Sequence, residues 1–309
     1  MALVAVSTSS FGRYDASPLE MLREAGFEVR LNPHGRRLTP EESCQFHRSV
    51  IGLIAGTEQL NREVLAASEL RMISRCGVGM DGVDLDAAAE MGITVTRTAD
   101  SHVDAVAELA LAGILDVLRR LSAADRDARA GRWHKPMGRL LRDKTVGIVG
   151  LGAVGRRLVE LLAPFSVTVL AVDPREDASF AATHSVTYGS LDAVVQRADI
   201  LSLHLDYTPA VHHLMNTDRI QAMKPGGILV NAARGGLVDE EALAAALESG
   251  HLSGAFLDTF EREPYDGPLT SLDNVVLTPH IGSYAVEGRV AMETDAARNL
   301  IRGLAEMDT

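Results

Sequence analysis

Cysteine is scarce in this sequence. Cys44 and Cys76 are the only two in 309 residues. That excludes a disulfide framework, and the pair has no metal-ligand spacing, so a reduced, cytoplasmic chain without a metal site is expected. Long apolar runs are missing too, since no stretch reaches the ~18 residues of a membrane span. Met1 to Ser7 lacks a basic leader region, and no signal peptide is expected. Positive charge is in deficit, with 30 Lys and Arg against 42 Asp and Glu, a net of −12. That balance argues against nucleic acid or an anionic membrane as partner. It leaves a small anionic substrate open, because such a substrate needs only local cations. Repeats and low-complexity tracts are absent.

What is present is enough chain for two α/β domains. The most informative stretch is Val146–Val149, a short apolar run that reads as a buried parallel strand. It ends in Gly150-Leu151-Gly152-Ala153-Val154-Gly155, and a helical pattern follows with Val154, Leu158, Leu161 and Leu162 on one face. Strand, glycine turn and helix together form the context of a dinucleotide fingerprint. Gly150 allows the tight turn, Gly152 the approach of a pyrophosphate, and Gly155 close packing of helix on strand. N–H groups at the helix start, from Ala153 and Val154 on, suit phosphates. A second apolar run, Val167–Val172, ends in Asp173, 18 residues after Gly155. An acid there accepts from both ribose hydroxyls of NAD and repels the extra phosphate of NADP. Arg175 lies close enough to soften that preference, and the expected cofactor is NAD.

Upstream, short apolar runs alternate with helical patterns. The strand candidates are Leu3–Ser7, Phe27–Leu31, Ile51–Ala55, Met72–Arg75 and Ile93–Thr96, with helices such as Pro18–Ala25 and Pro40–His47 between them. This alternation predicts a parallel sheet covered on both faces. Ligands of such sheets bind at the carboxyl ends of strands. Two loops fall there, Ala55-Gly56-Thr57 and Arg75-Cys76-Gly77-Val78-Gly79-Met80-Asp81. Bare N–H groups around Val78 and Gly79 suit a carboxylate, though a plain tight turn explains the same glycines. Cys76 fits a small buried residue better than a reactive thiol.

Asp104 to Leu121 is apolar on nearly every side, which predicts a helix buried between domains or subunits. Arg132-Trp133-His134-Lys135-Pro136 then breaks the pattern as a loop. It holds the single tryptophan, which either plugs an interface or lines a site. Further strand candidates are Ile200–Leu203, Ile228–Asn231, Ala255–Leu257 and Val275–Leu277. Helices are expected over Asp239–Ser249 and Val286–Leu304, the latter returning to the first domain and making it discontinuous. The expected domains are residues 1–98 with 283–309, and residues 99–282.

Three of these strand ends carry polar groups: Asn231-Ala232-Ala233-Arg234-Gly235-Gly236, Asp258-Thr259-Phe260-Glu261-Arg262-Glu263-Pro264, and Thr278-Pro279-His280-Ile281-Gly282-Ser283. They fall on one carboxyl edge, where a nicotinamide lies if phosphates sit at Gly152. Arg is a planar bidentate donor for a carboxylate. His moves a proton near neutral pH. Glu orients an imidazole and favours its protonated form. Singly, each has a bland explanation as a surface charge or a structural histidine. Their joint placement points to catalysis.

Taken together, these motifs resemble the D-isomer-specific 2-hydroxyacid dehydrogenases, particularly the phosphoglycerate dehydrogenase-like branch. The match runs from Arg75-Cys76-Gly77-Val78-Gly79-Met80-Asp81-Gly82-Val83-Asp84 through the glycine fingerprint to Pro279-His280-Ile281-Gly282. The resemblance implies two doubly wound parallel-sheet domains, a Rossmann nucleotide-binding domain and a flavodoxin-like substrate domain. It implies that Arg234 binds the substrate carboxylate and polarises its carbonyl, that His280 is the acid/base, and that Glu263 is its partner. Backbone at Val78 and Gly79 is similar to a second carboxylate clamp. Asp258 resembles the residue that holds the nicotinamide amide. Thr208, Ala232, Ala233 and Gly282 fall at the cofactor edge. A homodimer joined through the nucleotide domain, acting on a small D-2-hydroxy acid or its 2-keto acid, is implied as well.

Some residues depart from that pattern. The loop at Ala55-Gly56-Thr57-Glu58 is shorter than in typical phosphoglycerate dehydrogenases and lacks their arginine. Gly82 stands where Asn is usual, and the added regulatory domains of longer relatives are not seen. Arg75, His134 and Lys135 are the remaining candidates for a phosphate contact. Glu263 argues against the formate dehydrogenases, which have Gln there. Either a phosphoglycerate dehydrogenase or a hydroxypyruvate/glyoxylate reductase fits. The alternative is an NADH-sensing corepressor-like binding protein of the same fold, which keeps Arg, Glu and His.

Overall fold

A computed structural model describes residues 2–98 and 101–307. It divides into two compact units, Met1–His102 with Tyr284–Thr309, and Val103–Ser283. The boundary expected between residues 98 and 99 falls on Ala99, which lies outside the described residues.

The first unit is built on five strands, β1 (Leu3–Val6), β2 (Glu28–Leu31), β3 (Gly52–Ala55), β4 (Met72–Arg75) and β5 (Thr94–Arg97). Their order is β2-β1-β3-β4-β5, and every pairing is parallel. This is the flavodoxin-like winding, whose switch point lies between β1 and β3. The central strands β1 and β3 are nearly all apolar because both of their faces are buried. The helix Val286–Met307 belongs to this unit and covers one face. Ser74 Oγ donates to Ala296 O at 2.8 Å. A Cβ on Gly52 would lie 2.9 Å from Leu304 Cδ1, so the helix sits directly on β3.

The second unit holds β6 (Thr145–Val149), β7 (Thr168–Val172), β8 (Val186–Tyr188), β9 (Ile200–Leu203), β10 (Gly227–Asn231), β11 (Leu252–Leu257) and β12 (Val275–Leu277). They run in the order β12-β11-β10-β9-β6-β7-β8, again all parallel. This is the dinucleotide-binding winding with one strand added at the β12 edge, and its switch point lies between β6 and β9. Alternate strand residues feed two core layers. Val149, Leu201, Leu203 and Leu229 enter one, and Val146, Ile148, Ile200 and Val230 enter the other.

The helix expected over Asp104–Leu121 spans Val103–Arg119, and it is not covered on every side. Val106, Ala107, Ala110, Gly113, Ile114 and Leu118 are buried, whereas Glu108 and Ala112 are exposed. Gly113 is needed on the buried face, because a Cβ there would lie 2.2 Å from the Phe256 ring. Strand β8 has no counterpart among the sequence-based expectations. No helix among the described residues is long and apolar enough to cross a membrane.

Candidate active site

In the second unit the glycine fingerprint forms the turn from β6 into the helix Ala153–Leu162. Gly150 has φ +93°, and a Cβ there would lie 2.6 Å from His204 O at the end of β9. Only glycine meets both demands. Gly155 packs the helix onto the turn, where a Cβ would fall 2.3 Å from Gly150 O. Around Gly152 the space is open, with no atom within 4 Å of a Cβ position. A cradle that is crowded at its two outer glycines and open at the middle one fits a pyrophosphate over Gly152, Ala153 and Val154.

Asp173 follows β7. Its two oxygens accept from Leu151 N and Arg175 N, each at 2.8 Å. One bond per oxygen leaves acceptor capacity for a ribose diol. Sequence reasoning missed what ties these turns together. Arg156 donates through Nε to Leu151 O at 3.1 Å and through Nη1 to Asp177 Oδ2 at 2.7 Å. Its guanidinium also lies 4.9 Å from the Phe180 ring centroid. Asp177 caps the helix Ala178–His184, and the Phe180 N–H and Arg156 hold its carboxyl well below the usual range. An arginine directly after the third glycine is the one sequence signal for this clasp.

At the end of β9, Ser202 Oγ and His204 Nε2 are 2.8 Å apart. Burial lowers the His204 pKa to about 4, so the ring is neutral. Thr208 is exposed and precedes the short turn Pro209–Val211.

Beyond β10 the chain turns through Ala232, which is buried, and Ala233 to Arg234. Asn231 closes that turn. Its Oδ1 accepts from Ala233 N at 3.1 Å and its Nδ2 donates to Arg234 O at 2.9 Å. Asn231 is fully buried, and its role was not read from the sequence. Arg234 Nη1 donates to Ala233 O at 2.7 Å. The next residue, Gly235, lies against the loop after β11, where a Cβ would fall 1.8 Å from the Phe260 carbonyl carbon. That contact brings the backbone bearing Arg234 beside the segment carrying Glu263.

Asp258 begins that segment, almost completely buried. Burial pushes its carboxyl above the ordinary range, while its hydrogen bonds pull it back. Its Oδ1 accepts from Thr278 Oγ1 and Ile281 N, and its Oδ2 from Gly282 N at 2.7 Å. These residues flank His280, whose backbone has φ +55° in the left-handed region. Asp258 therefore grips both sides of the turn that presents the imidazole. His280 Nδ1 lies 3.0 Å from both carboxylate oxygens of Glu263. Phe260 N donates to Glu263 Oε1 at 3.3 Å, which steadies the carboxylate.

Of the remaining candidates, His134 and Lys135 are on the second unit, where His134 Nδ1 lies 3.4 Å from Asp127 Oδ2, and the others are on the first unit, at the end of β4. Arg75 donates to the Cys76 carbonyl, with its guanidinium folded over Gly77. Val78 and Gly79 are half-buried. Cys76 is buried, and its thiol is pushed up to about 11, which removes it as a nucleophile. The adjoining loop holds Glu58, 3 % exposed. Ser7 Oγ donates to its Oε1 and Gly56 N approaches the same oxygen at 3.3 Å. Burial raises the Glu58 pKa. Gly82 has its reason here too, since a Cβ would lie 2.8 Å from the Glu58 carbonyl oxygen.

A family model described as the D-isomer specific 2-hydroxyacid dehydrogenase NAD binding domain matches residues 111–282. The chain belongs to this family. It is an NAD-dependent D-2-hydroxyacid dehydrogenase with a two-unit α/β fold. It is 42 % identical over 256 residues to a glyoxylate reductase of Thermofilum pendens, covering 79 % of this chain and 75 % of that one. It is 41 % identical over 257 residues to a D-3-phosphoglycerate dehydrogenase of Mycobacterium bovis, covering 82 % of this chain. The match spans only 49 % of that mycobacterial relative, about half its length. A solved structure from Thermus thermophilus superposes with a TM-score of 0.88 at 37 % identity, covering 98 % of this chain and 97 % of that one.

Proposed function

We propose that this dehydrogenase reduces a small, non-phosphorylated 2-keto acid of the glyoxylate or hydroxypyruvate kind to its D-2-hydroxy acid. The observation that carries the chemistry is the His280–Glu263 pair beside the turn that presents Arg234. Bound NADH supplies the hydride to the carbonyl carbon. Gly150, Gly152, Ala153, Val154 and Gly155 hold the pyrophosphate, and Asp173 takes the ribose diol. Thr208, Ala232, Ala233, Asp258 and Gly282 line the nicotinamide edge. Arg234 grips the substrate carboxylate with its planar fork and draws charge toward the carbonyl oxygen. Val78 and Gly79 offer a second clamp through backbone N–H groups. Negative charge grows on the carbonyl oxygen as C2 is reduced, and the imidazolium of His280 delivers the proton there. Glu263 keeps that imidazole oriented by accepting from Nδ1.

The loop Ala55-Gly56-Thr57-Glu58 supports a substrate without phosphate. It follows β3 at the carboxyl end of the five-stranded sheet, where ligands of such sheets bind, and it lacks the arginine usual in phosphoglycerate dehydrogenases. Glu58 itself is turned inward, its carboxyl held by Ser7. The Arg75 guanidinium is already turned to the Cys76 carbonyl. The likeness to a glyoxylate reductase over three quarters of its length supports the same reading. Initial rates of NADH oxidation with glyoxylate, hydroxypyruvate and 3-phosphohydroxypyruvate test it. The two unphosphorylated acids should give the higher kcat/KM, and a preference for the phosphorylated acid refutes the substrate reading.

A homodimer joined through the nucleotide unit is part of this proposal. Leu121, Trp133, Met137 and Leu140 expose between 64 % and 90 % of their surface within one short stretch of chain. Apolar residues gathered this way favour a protein contact. Light scattering of the purified chain should give twice the monomer mass. Cytoplasmic residence belongs to the same reading and rests on the two free thiols, Cys44 and Cys76.

A further inference from the structure

A second polar cluster lies on the seven-stranded unit, outside the hydride chemistry. His212 and His213 follow the turn after β9, and their rings stack with centroids 3.9 Å apart. Glu261, in the loop after β11, directs Oε1 at both. It lies 2.8 Å from His213 Nε2 and 3.7 Å from His212 Nδ1. One ligand atom from each of the three residues lies within 4.8 Å of the others. His213 has φ +48°, in the left-handed region that residues other than glycine seldom adopt. It is held there by its own N–H, which donates to Gly236 O at 2.8 Å. The Tyr207 hydroxyl stands 3.3 Å from His212 Nδ1.

We infer that His212, His213 and Glu261 form a binding site for one divalent transition-metal ion of the zinc type. A hydrogen bond to Glu261 accounts for one imidazole, but not for a second ring brought face to face with it against the same oxygen. Two imidazole nitrogens and one carboxylate oxygen are a donor set that suits zinc and its neighbours. Magnesium and calcium prefer oxygen alone. Around a zinc ion with bonds of ~2.0–2.1 Å, tetrahedral donors are ~3.3 Å apart. The two distances to Glu261 Oε1 bracket that spacing, and turning the stacked rings, now 24° from parallel, out of their face-to-face contact directs both nitrogens at one ion. The three side chains are 32–48 % exposed, which gives an ion access and leaves a fourth position for water.

Occupancy would join the segment after β9 to the loop after β11. Glu261 is two residues before Glu263, and its N–H donates to Glu240 Oε1 at 2.9 Å. The ion therefore braces the frame of the catalytic pair without touching it.

The test is competition for Zn²⁺ between a chromogenic zinc indicator and the full-length protein, freed of metal by chelation. Wild type should withdraw one equivalent in a saturable way. His212→Ala and Glu261→Gln should each weaken that binding at least tenfold while NADH binding persists. His280→Ala should bind zinc as wild type does. The inference fails if wild type withdraws no saturable equivalent. It fails equally if both variants bind as wild type does, or if His280→Ala is the variant that loses the ion.

Discussion

His280 Nδ1 lies 3.0 Å from Oε1 and 3.0 Å from Oε2 of Glu263. An ionised carboxylate can only accept, so Nδ1 carries a proton and Nε2 is the atom left for a substrate oxygen. Two nearly equivalent acceptors fix the ring's orientation as well as its tautomer. Replacing Glu263 with Gln keeps the shape but presents an amide whose N–H₂ can face the ring. We expect keto-acid reduction at pH 7 to fall roughly tenfold to a hundredfold, a fraction of what a general acid contributes. NADH titration by fluorescence should show unchanged cofactor affinity. Equal turnover in Glu263→Gln would remove the pair from the mechanism.

Cofactor choice rests on Asp173. Its carboxylate repels the 2′-phosphate of NADP and accepts from the ribose of NAD. Asp173→Ser should narrow the ratio of kcat/KM for NADH over NADPH by about tenfold or more, equivalent to ~1.4 kcal/mol. A wild-type enzyme that prefers NADPH would contradict the reading of this strand end.

Gly235 tests the junction between two catalytic loops. A Cβ there would lie 1.8 Å from Phe260 C and 2.2 Å from Glu261 N, and both are backbone atoms that cannot swing aside. Gly235→Ala should lower stability by about 1–3 kcal/mol, the usual effect of overpacking. Activity should drop further than stability alone explains, because Arg234 and Glu263 sit on the two loops pushed apart. Urea denaturation gives the first number and initial rates the second. A variant with wild-type stability and activity would show that the loops are not in this contact.

Acid should destabilise the first unit through His47. The ring is fully buried, and neither nitrogen has a hydrogen-bond partner among the described residues. Burial, with the nearby Arg30 cation, lowers its pKa to about 4 from the model-peptide 6.5. Between those two values the unfolded chain takes up a proton that the folded chain refuses. Stability therefore rises with pH across this window and is lost as pH falls from 6.5 toward 4. Going from pH 7 to pH 5 should cost on the order of 2 kcal/mol at this residue. His47→Leu should flatten that part of the urea-denaturation profile. An unchanged slope in the variant would assign the acid sensitivity elsewhere.

Much of this architecture was legible in the sequence because it is written in local signals. The alternation of apolar runs with helical periodicity predicts two parallel sheets, and most strand ends fall within one residue of expectation. Strand β11 is the main exception, starting at Leu252 and not Ala255, since Ser253 and Gly254 interrupt its apolar run. Strand β8 went unread because Val186–Tyr188 is three residues long at the sheet edge, with exposed Thr187 in the middle. Such a segment carries too few positions for periodicity to show. The fingerprint glycines were legible from their spacing between a strand and a helix: Gly150 and Gly155 meet backbone that a Cβ would strike, and Gly152 keeps open space where a phosphate fits. Long-range partnerships were not. Arg156 and Asp177 are 21 residues apart, and nothing local marks either as the other's partner. The same holds for Asp258, whose grip on Thr278, Ile281 and Gly282 appears only when β11 and β12 lie side by side. Glu58 reads as an ordinary loop acid until the packing of β1 and β3 buries it.

The central claim is that His280 supplies the proton for reduction of an unphosphorylated keto acid. Its most direct test is the turnover of glyoxylate by His280→Ala at saturating NADH, with NADH affinity measured on the same preparation. The account predicts a fall in kcat of about 10²–10⁴-fold, the range of general acid catalysis, with cofactor affinity within about twofold of wild type. A His280→Ala enzyme that binds NADH normally and keeps a substantial share of wild-type turnover would contradict it.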